Sequence, residues 1–171
     1  MKNSPLVSIN IPVYKCEDYI YRCLESVVNQ TYQNIEIILV NDCTPDNSIS
    51  IIEDFIQKHN DFDIKLIHHK ENGGLSVVRN TGIENSNGEY IYFLDSDDDI
   101  TNDCIEKLVK NALENDTEMV IAQNRWINTF DNSTKDYGFA TNFSKLIFSD
   151  NFSIFKAYCE GSFPVSSWNK I

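Results

Sequence analysis

The sequence predicts an α/β fold, a three-layer α/β/α sandwich built on a mostly parallel central sheet. Three observations predict it. Short segments rich in Val, Ile and Leu recur, and several are apolar nearly throughout, which suits strands buried on both faces. Between them lie segments whose apolar residues repeat at helical spacing. The two kinds alternate as far as Ala122, an order that leads to crossover connections and parallel pairing.

Residues 7–11 read as the first strand, and residues 18–30 follow as a helix with Ile20, Cys23, Leu24, Val27 and Val28 on one face. Residues 35–40 form the second strand. Residues 47–59 form a helix with Ile51, Ile52, Phe55 and Ile56 on one side. Residues 64–68 are the third strand, 75–85 a short helix and 90–94 the fourth strand. Ile105, Leu108, Val109, Ala112 and Leu113 mark a further helix, followed by a strand over 119–122. Beyond Ala122 the pattern weakens. Residues 124–130 read as a strand, 131–145 as a polar loop, and 149–158 as a helix with Phe152, Phe155 and Tyr158 on one face.

The 171 residues suffice for one sizeable domain with a core, and 42% apolar with 23% charged residues is an ordinary globular composition. A net charge of −12 argues against a nucleic-acid partner, which needs a basic footprint. It leaves room for an anionic nucleotide if a metal screens the phosphates. No signal peptide is read at the N-terminus, and no apolar run approaches the ~20 residues of a membrane span. The cysteines Cys16, Cys23, Cys43, Cys104 and Cys159 are odd in number and widely spaced, which suits reduced thiols. The expected location is cytoplasmic, with peripheral attachment to the inner membrane face as a variant.

In open parallel sheets ligands bind beyond the carboxyl ends of the strands. Here the unusual residues fall there repeatedly: Pro12-Val13-Tyr14 after the first strand, Asn41-Asp42 after the second, Glu71-Asn-Gly-Gly74 after the third and Asp95-Ser-Asp-Asp-Asp99 after the fourth. The last puts four carboxylates in five residues. Such charges repel unless something positive sits between them, and carboxylate oxygens suit Mg²⁺ or Mn²⁺. A solvated acidic turn before a helix is the bland alternative. A calcium loop would use Asp95, Asp97, Asp99, Thr101, Asp103 and Glu106, but Ile100 stands where that loop needs Gly, and a strand precedes it rather than a helix. Gly73-Gly74 fits neither a dinucleotide fingerprint nor a P-loop. His68 and His69, adjacent at a strand end, should point to opposite faces. Trp126, Trp168 and the late phenylalanines read as core rather than acceptor platform.

Five stretches resemble the large inverting glycosyltransferase family two: Val7-Ser-Ile-Asn-Ile-Pro-Val-Tyr-Lys15, Leu24-Glu-Ser-Val-Val-Asn-Gln-Thr-Tyr32, Ile35-Glu-Ile-Ile-Leu-Val-Asn-Asp42, Asn72-Gly-Gly-Leu-Ser-Val-Val-Arg-Asn-Thr-Gly82 and Gly88-Glu-Tyr-Ile-Tyr-Phe-Leu-Asp-Ser-Asp-Asp98. The resemblance covers roughly residues 5–125 and implies a GT-A fold, which is Rossmann-like. It implies transfer of a sugar from a nucleoside-diphosphate sugar, with a UDP-sugar as the expected donor, to a glycan or lipid-linked acceptor in polysaccharide synthesis. By the resemblance, Pro12, Val13 and Tyr14 hold the uracil, Asp42 accepts a hydrogen bond from it, and Asn72 and Gly73 line the donor site. Asp97 binds the metal, Mn²⁺ or Mg²⁺, with Asp95 as the second metal candidate that also contacts the sugar nucleotide, and Ser96 lines the donor site. Arg79 contacts the donor or, equally well, pairs with the acidic cluster.

Lys15 stands where the family usually has Asn, and Cys43-Thr44 where it has Gly-Ser. Residues 1–125 are read as the donor-binding core and 126–171 as the start of a truncated acceptor-side region. The general base is expected beyond Ile171, past the segment Ser167-Trp-Asn-Lys-Ile171, with Glu160 as the alternative. Two rival functions are a nucleotide-sugar-binding protein without catalysis and a haloacid-dehalogenase-like phosphatase with Asp95 as nucleophile. The second places its motif on the first strand, not the fourth.

Overall fold

The computed structural model describes residues 4–120, 124–127 and 133–137. The element order is β1 (Val7–Val13), α1 (Ile20–Val28), β2 (Ile35–Asn41), α2 (Ser48–Lys58), β3 (Ile64–His68), α3 (Leu75–Glu84), β4 (Tyr90–Phe93), α4 (Cys104–Asn115), β5 (Asn124–Ile127) and β6 (Thr134–Tyr137). The first four strands form one parallel sheet in the order β3-β2-β1-β4. Val7 pairs with both Ile35 and Tyr90, so β1 is the central reference for its neighbours' register.

The period of two along each strand sorts the core into two faces. On one, Val7, Ile9, Ile11 and Val13 of β1 and Ile35, Ile37 and Leu39 of β2 pack against α1, α2 and α4 through Ile20, Leu24, Val27, Ile52, Phe55, Ile105 and Leu108. On the other, Ile38 and Val40 meet Val78 of α3. Right-handed crossovers require this split. The chain steps outward from β1 to β2 to β3 with its helices on one face, then returns over the opposite face to place β4 on the far side of β1.

The α3 face is also polar at the amino end of the sheet. Glu36, only 1% exposed, accepts hydrogen bonds from Ser8 Oγ (2.6 Å) and from the Asn87 backbone N–H (2.6 Å), and pairs with Lys65 at 2.8 Å. Burial alone would raise its pKa. The bonds from Lys65, Ser8 and Asn87 outweigh that and hold it at about 2. Gly88 fits against this cluster because a Cβ there would lie 2.5 Å from Ser8 Oγ and 2.6 Å from the Ser8 backbone nitrogen.

Past α4 the expectation and the structure part. Met119 and Val120 are not in a strand, and residues 121–123 lie outside the described residues. Of the strand expected over 124–130, residues 124–127 form β5 and 128–130 lie outside the described residues. The loop expected over 131–145 instead contains β6, which pairs antiparallel with β5 from Asn124 opposite Tyr137 to Ile127 opposite Thr134. Thr134-Lys-Asp-Tyr137 has no apolar alternation, so only its pairing partner reveals it. The expected helix over 149–158 lies outside the described residues, as does the whole of 138–171. No helix among the described residues is long and apolar enough to cross a membrane.

Candidate functional site

All four parallel strands end at the same edge, and the order 3-2-1-4 puts the topological switch point between β1 and β4. Tyr14 and the acidic turn 95–99 therefore follow neighbouring strands at that edge. Val13 is buried and its carbonyl accepts the Asp42 N–H at 3.1 Å, whereas the Tyr14 ring is 46% exposed with Lys15 Nζ 5.4 Å from its centroid. Pro12 is the half-buried residue next to the end of β1.

Asp42 is nearly buried. Its Oδ1 accepts the Gly73 N–H (2.8 Å) and faces His69 Nδ1 (2.9 Å), and its Oδ2 accepts the Gly74 N–H (2.8 Å). Asn72 Nδ2 donates to the Asp42 backbone carbonyl at 3.0 Å. Desolvation pushes the Asp42 carboxyl up. The donors from Gly73, His69 and Gly74 prevail and hold it below the usual carboxylate value. Gly74, at φ 79°, turns the chain so that both N–H groups face the carboxylate.

In the acidic turn Asp95 Oδ1 accepts from Arg79 Nη2 at 2.8 Å, so the ion pair is the arrangement Arg79 takes here. Ser96 is buried, and Asp97, Asp98 and Asp99 are exposed. Desolvation within the turn and the charges of Asp97, Asp95 and Asp99 raise the pKa of Asp98, while Arg22 lowers it. Arg22 Nη2 reaches the backbone carbonyl of Asp97 (3.3 Å), and its Nε lies 3.5 Å from Asp99 Oδ2.

The sequence reading missed the side of α1 that holds this turn. Ser26 Oγ accepts the Ile100 N–H, Gln30 Nε2 donates to the Thr101 carbonyl, and Gln30 Oε1 accepts the Ile105 N–H at the start of α4. Arg22, Ser26 and Gln30 recur every four residues, a polar stripe beside the apolar one, and that spacing was the available signal. Also missed was Asp46. Its Oδ1 accepts from Thr44 Oγ1 and Ser48 Oγ (both 2.6 Å), and its Oδ2 accepts the Glu17 N–H (3.0 Å). It thereby ties the loop after β1 to the loop after β2, and its Oδ1 also accepts the Ser48 N–H (3.2 Å) at the start of α2. Burial opposes its ionisation, but Ser48, Thr44 and Glu17 hold its pKa at about 2. An Asp two residues before Ser48 at a helix start was the readable cue.

The sequence pattern of Glycosyl transferase family 2 matches residues 8–163. The chain belongs to that family. It is 34% identical over 171 residues to glycosyltransferase GlyA of Streptococcus pneumoniae, covering 96% of this chain and 24% of GlyA. Its structure is similar to that of S. aureus TarS 1-349 in complex with UDP-GlcNAc, with a TM-score of 0.63 and 27% identity over 68% of this chain and 33% of that one. A likeness of fold extends to the mannosyltransferase PcManGT from Pyrobaculum calidifontis in complex with GDP-Man and Mn²⁺, with a TM-score of 0.67 and 21% identity over 76% of this chain and 38% of that one. This family 2 chain thus has the GT-A fold and spans a quarter to a third of GlyA and TarS.

Among the described residues no three or more His, Cys, Asp or Glu side chains are arranged as a complete metal cage. His68 and His69 bond to different neighbours, His68 Nδ1 to Asn41 and His69 to Asp42. The donor set of the turn is nonetheless that of a hard divalent cation. Asp97 offers exposed carboxylate oxygens, and a site with few protein ligands leaves coordination positions for phosphate oxygens.

Proposed function

We propose that this chain carries the donor half of a glycosyltransferase that moves a sugar from a nucleoside-diphosphate sugar, a UDP-sugar, to an acceptor hydroxyl on a glycan or lipid-linked glycan with inversion. The observation that supports it most is the convergence at the switch point of an exposed aromatic ring (Tyr14), a pinned carboxylate (Asp42) and an acidic turn. Tyr14, with Pro12 and Val13, would seat the base, and Asp42 would accept its ring N–H. Asn72 and Gly73 would line the donor site. Asp97 would hold Mn²⁺ or Mg²⁺, with Asp95, braced by Arg79, beside it against the sugar nucleotide and Ser96 setting their spacing. Bound there, the cation would neutralise the charge that develops on the leaving diphosphate. The acceptor oxygen would bond to the anomeric carbon from the face opposite the departing diphosphate. A carboxylate would take the acceptor's proton. That TarS has been crystallised with UDP-GlcNAc supports the choice of a UDP-sugar.

Isothermal titration with UDP, with and without Mn²⁺, tests the reading. Binding should require the cation, and Asp97→Asn should weaken it at least about tenfold, a loss typical of a hydrogen bond or ligand to a charged group. The fold should survive the change, because Asp97 is exposed and Arg22 reaches its backbone rather than its carboxylate. Metal-independent UDP binding, unchanged in Asp97→Asn, would remove Asp97 from the site.

A further inference from the structure

We infer that His69 is a positioning residue for base recognition, holding the Asp42 carboxylate in one orientation from the end of β3; the inference rests on the donor-site reading above. His69 is itself fixed. Its backbone N–H donates to the Asn41 carbonyl at 2.9 Å, its side chain is only 14% exposed, and its ring spans two elements. Nδ1 lies 2.9 Å from Asp42 Oδ1, and Nε2 lies 2.9 Å from Thr81 Oγ1 on α3.

An ionised carboxylate only accepts, so Nδ1 carries the hydrogen. In the neutral ring Nε2 must then accept from the Thr81 hydroxyl. One tautomer therefore satisfies both ends, and Asp42 is anchored through His69 to the helix covering the sheet.

The consequence for a ligand follows from acceptor arithmetic. A carboxylate has about four lone-pair positions. Gly73, Gly74 and His69 occupy three, two of them on Oδ1. The position left is on Oδ2. Without His69, Oδ1 keeps one partner, and the carboxylate is held only by the two N–H groups of the Gly73-Gly74 turn, so its orientation follows that turn and is no longer tied to α3. A ring N–H such as uracil N3–H needs that last position held in place. A base methylated at N3 has no hydrogen to give it, so its affinity should not depend on how well Asp42 is held.

The test is titration of the full chain, with Mn²⁺ present, using UDP and N3-methyl-UDP. The native chain should prefer UDP roughly tenfold or more, the scale of one hydrogen bond to a charged group. His69→Phe should lose most of that preference, with UDP weakened and N3-methyl-UDP nearly unchanged. His69→Gln, whose amide can still donate to Asp42, should keep most of it. A merely structural role would weaken both ligands alike and would not be rescued by Gln. His69→Phe retaining the native preference overturns the inference. Should His69→Phe not fold, Thr81→Val decides: partial loss of preference supports the inference, and full retention overturns it. Asp42→Ala, which removes the acceptor altogether, separates the two levels. If it keeps the native preference, the base-site reading has failed and the role of His69 falls with it. If it loses the preference while His69→Phe keeps it, only the role of His69 has failed.

Discussion

Two residues at the edge of the site stand on left-handed backbone, and neither is glycine: Lys15 at φ 52° and Cys43 at φ 58°. These are the positions where the sequence departs from its family's usual Asn and Gly, the two residues that tolerate this conformation best. The departures look arbitrary in one dimension, but the structure shows that they share a cause for concern. A Cβ at positive φ costs on the order of 1–2 kcal/mol. Lys15 recovers part through its N–H bond to Thr44 Oγ1 (2.7 Å), while Cys43 gains a weak thiol contact to the His69 carbonyl. Cys43→Gly should therefore stabilise the protein by roughly 0.5–1 kcal/mol, less than the full strain because glycine also frees the unfolded chain. Urea denaturation measures it. A lower midpoint in the variant would show that the Cys43 thiol contributes more than its backbone costs.

At the scale of elements, what could be read was what is periodic or clustered. The strand ends and the acidic turn 95–99 announced themselves by composition, and β3 was placed to the residue. What escaped was polar structure inside apolar elements. Glu36 interrupts a strand otherwise made of Ile, Leu and Val, and nothing in β2 itself says that its partners wait at Ser8, Lys65 and Asn87. The stripe Arg22, Ser26 and Gln30 was visible in spacing, but its use depends on where β4 delivers the acidic turn. That delivery rests on Gly88, two residues ahead of a strand of four. A side chain at 88 meets the Ser8 backbone nitrogen at 2.6 Å and the Tyr90 carbonyl at 2.8 Å as well as Ser8 Oγ, so moving the Ser8 side chain aside does not relieve it. Gly88→Ala should cost about 1–3 kcal/mol, the usual range for overpacking. The same change should weaken Mn²⁺-dependent UDP binding by displacing the acidic turn. Equilibrium unfolding and titration on one preparation check both. A variant as stable as the native chain would mean that the turn 86–88 re-forms without strain.

For the whole molecule, the alternation of strand and helix was enough to give a parallel sheet with helices on both faces. It could not say that one face is oily along its length while the other turns polar at the amino end. That asymmetry gives the fold a dependence on pH whose sign can be worked out. Glu36 is held at about 2, against an ordinary value of 4.5, because burial is outweighed by Lys65, Ser8 and Asn87. A carboxyl with a depressed folded pKa releases its proton more readily in the folded state, so its contribution to stability is present above the unfolded value. It is lost as pH falls from about 4.5 through about 2. Asp46 acts in the same direction over nearly the same range, so acid unfolding of the native chain alone cannot isolate Glu36. The difference between the native chain and Glu36→Gln can. At neutral pH the variant should be less stable, since Lys65 loses its charged partner and a carboxamide must replace an acceptor for four donors. As the native Glu36 takes up its proton, that advantage should shrink, and near pH 2 the two melting curves should draw together. Melting temperatures taken from pH 7 down to pH 2 provide the measurement. A gap that stays constant across the window from 4.5 to 2 would show that Glu36 contributes through shape and neutral hydrogen bonds, and that its charge adds nothing to holding β4 in register against β1.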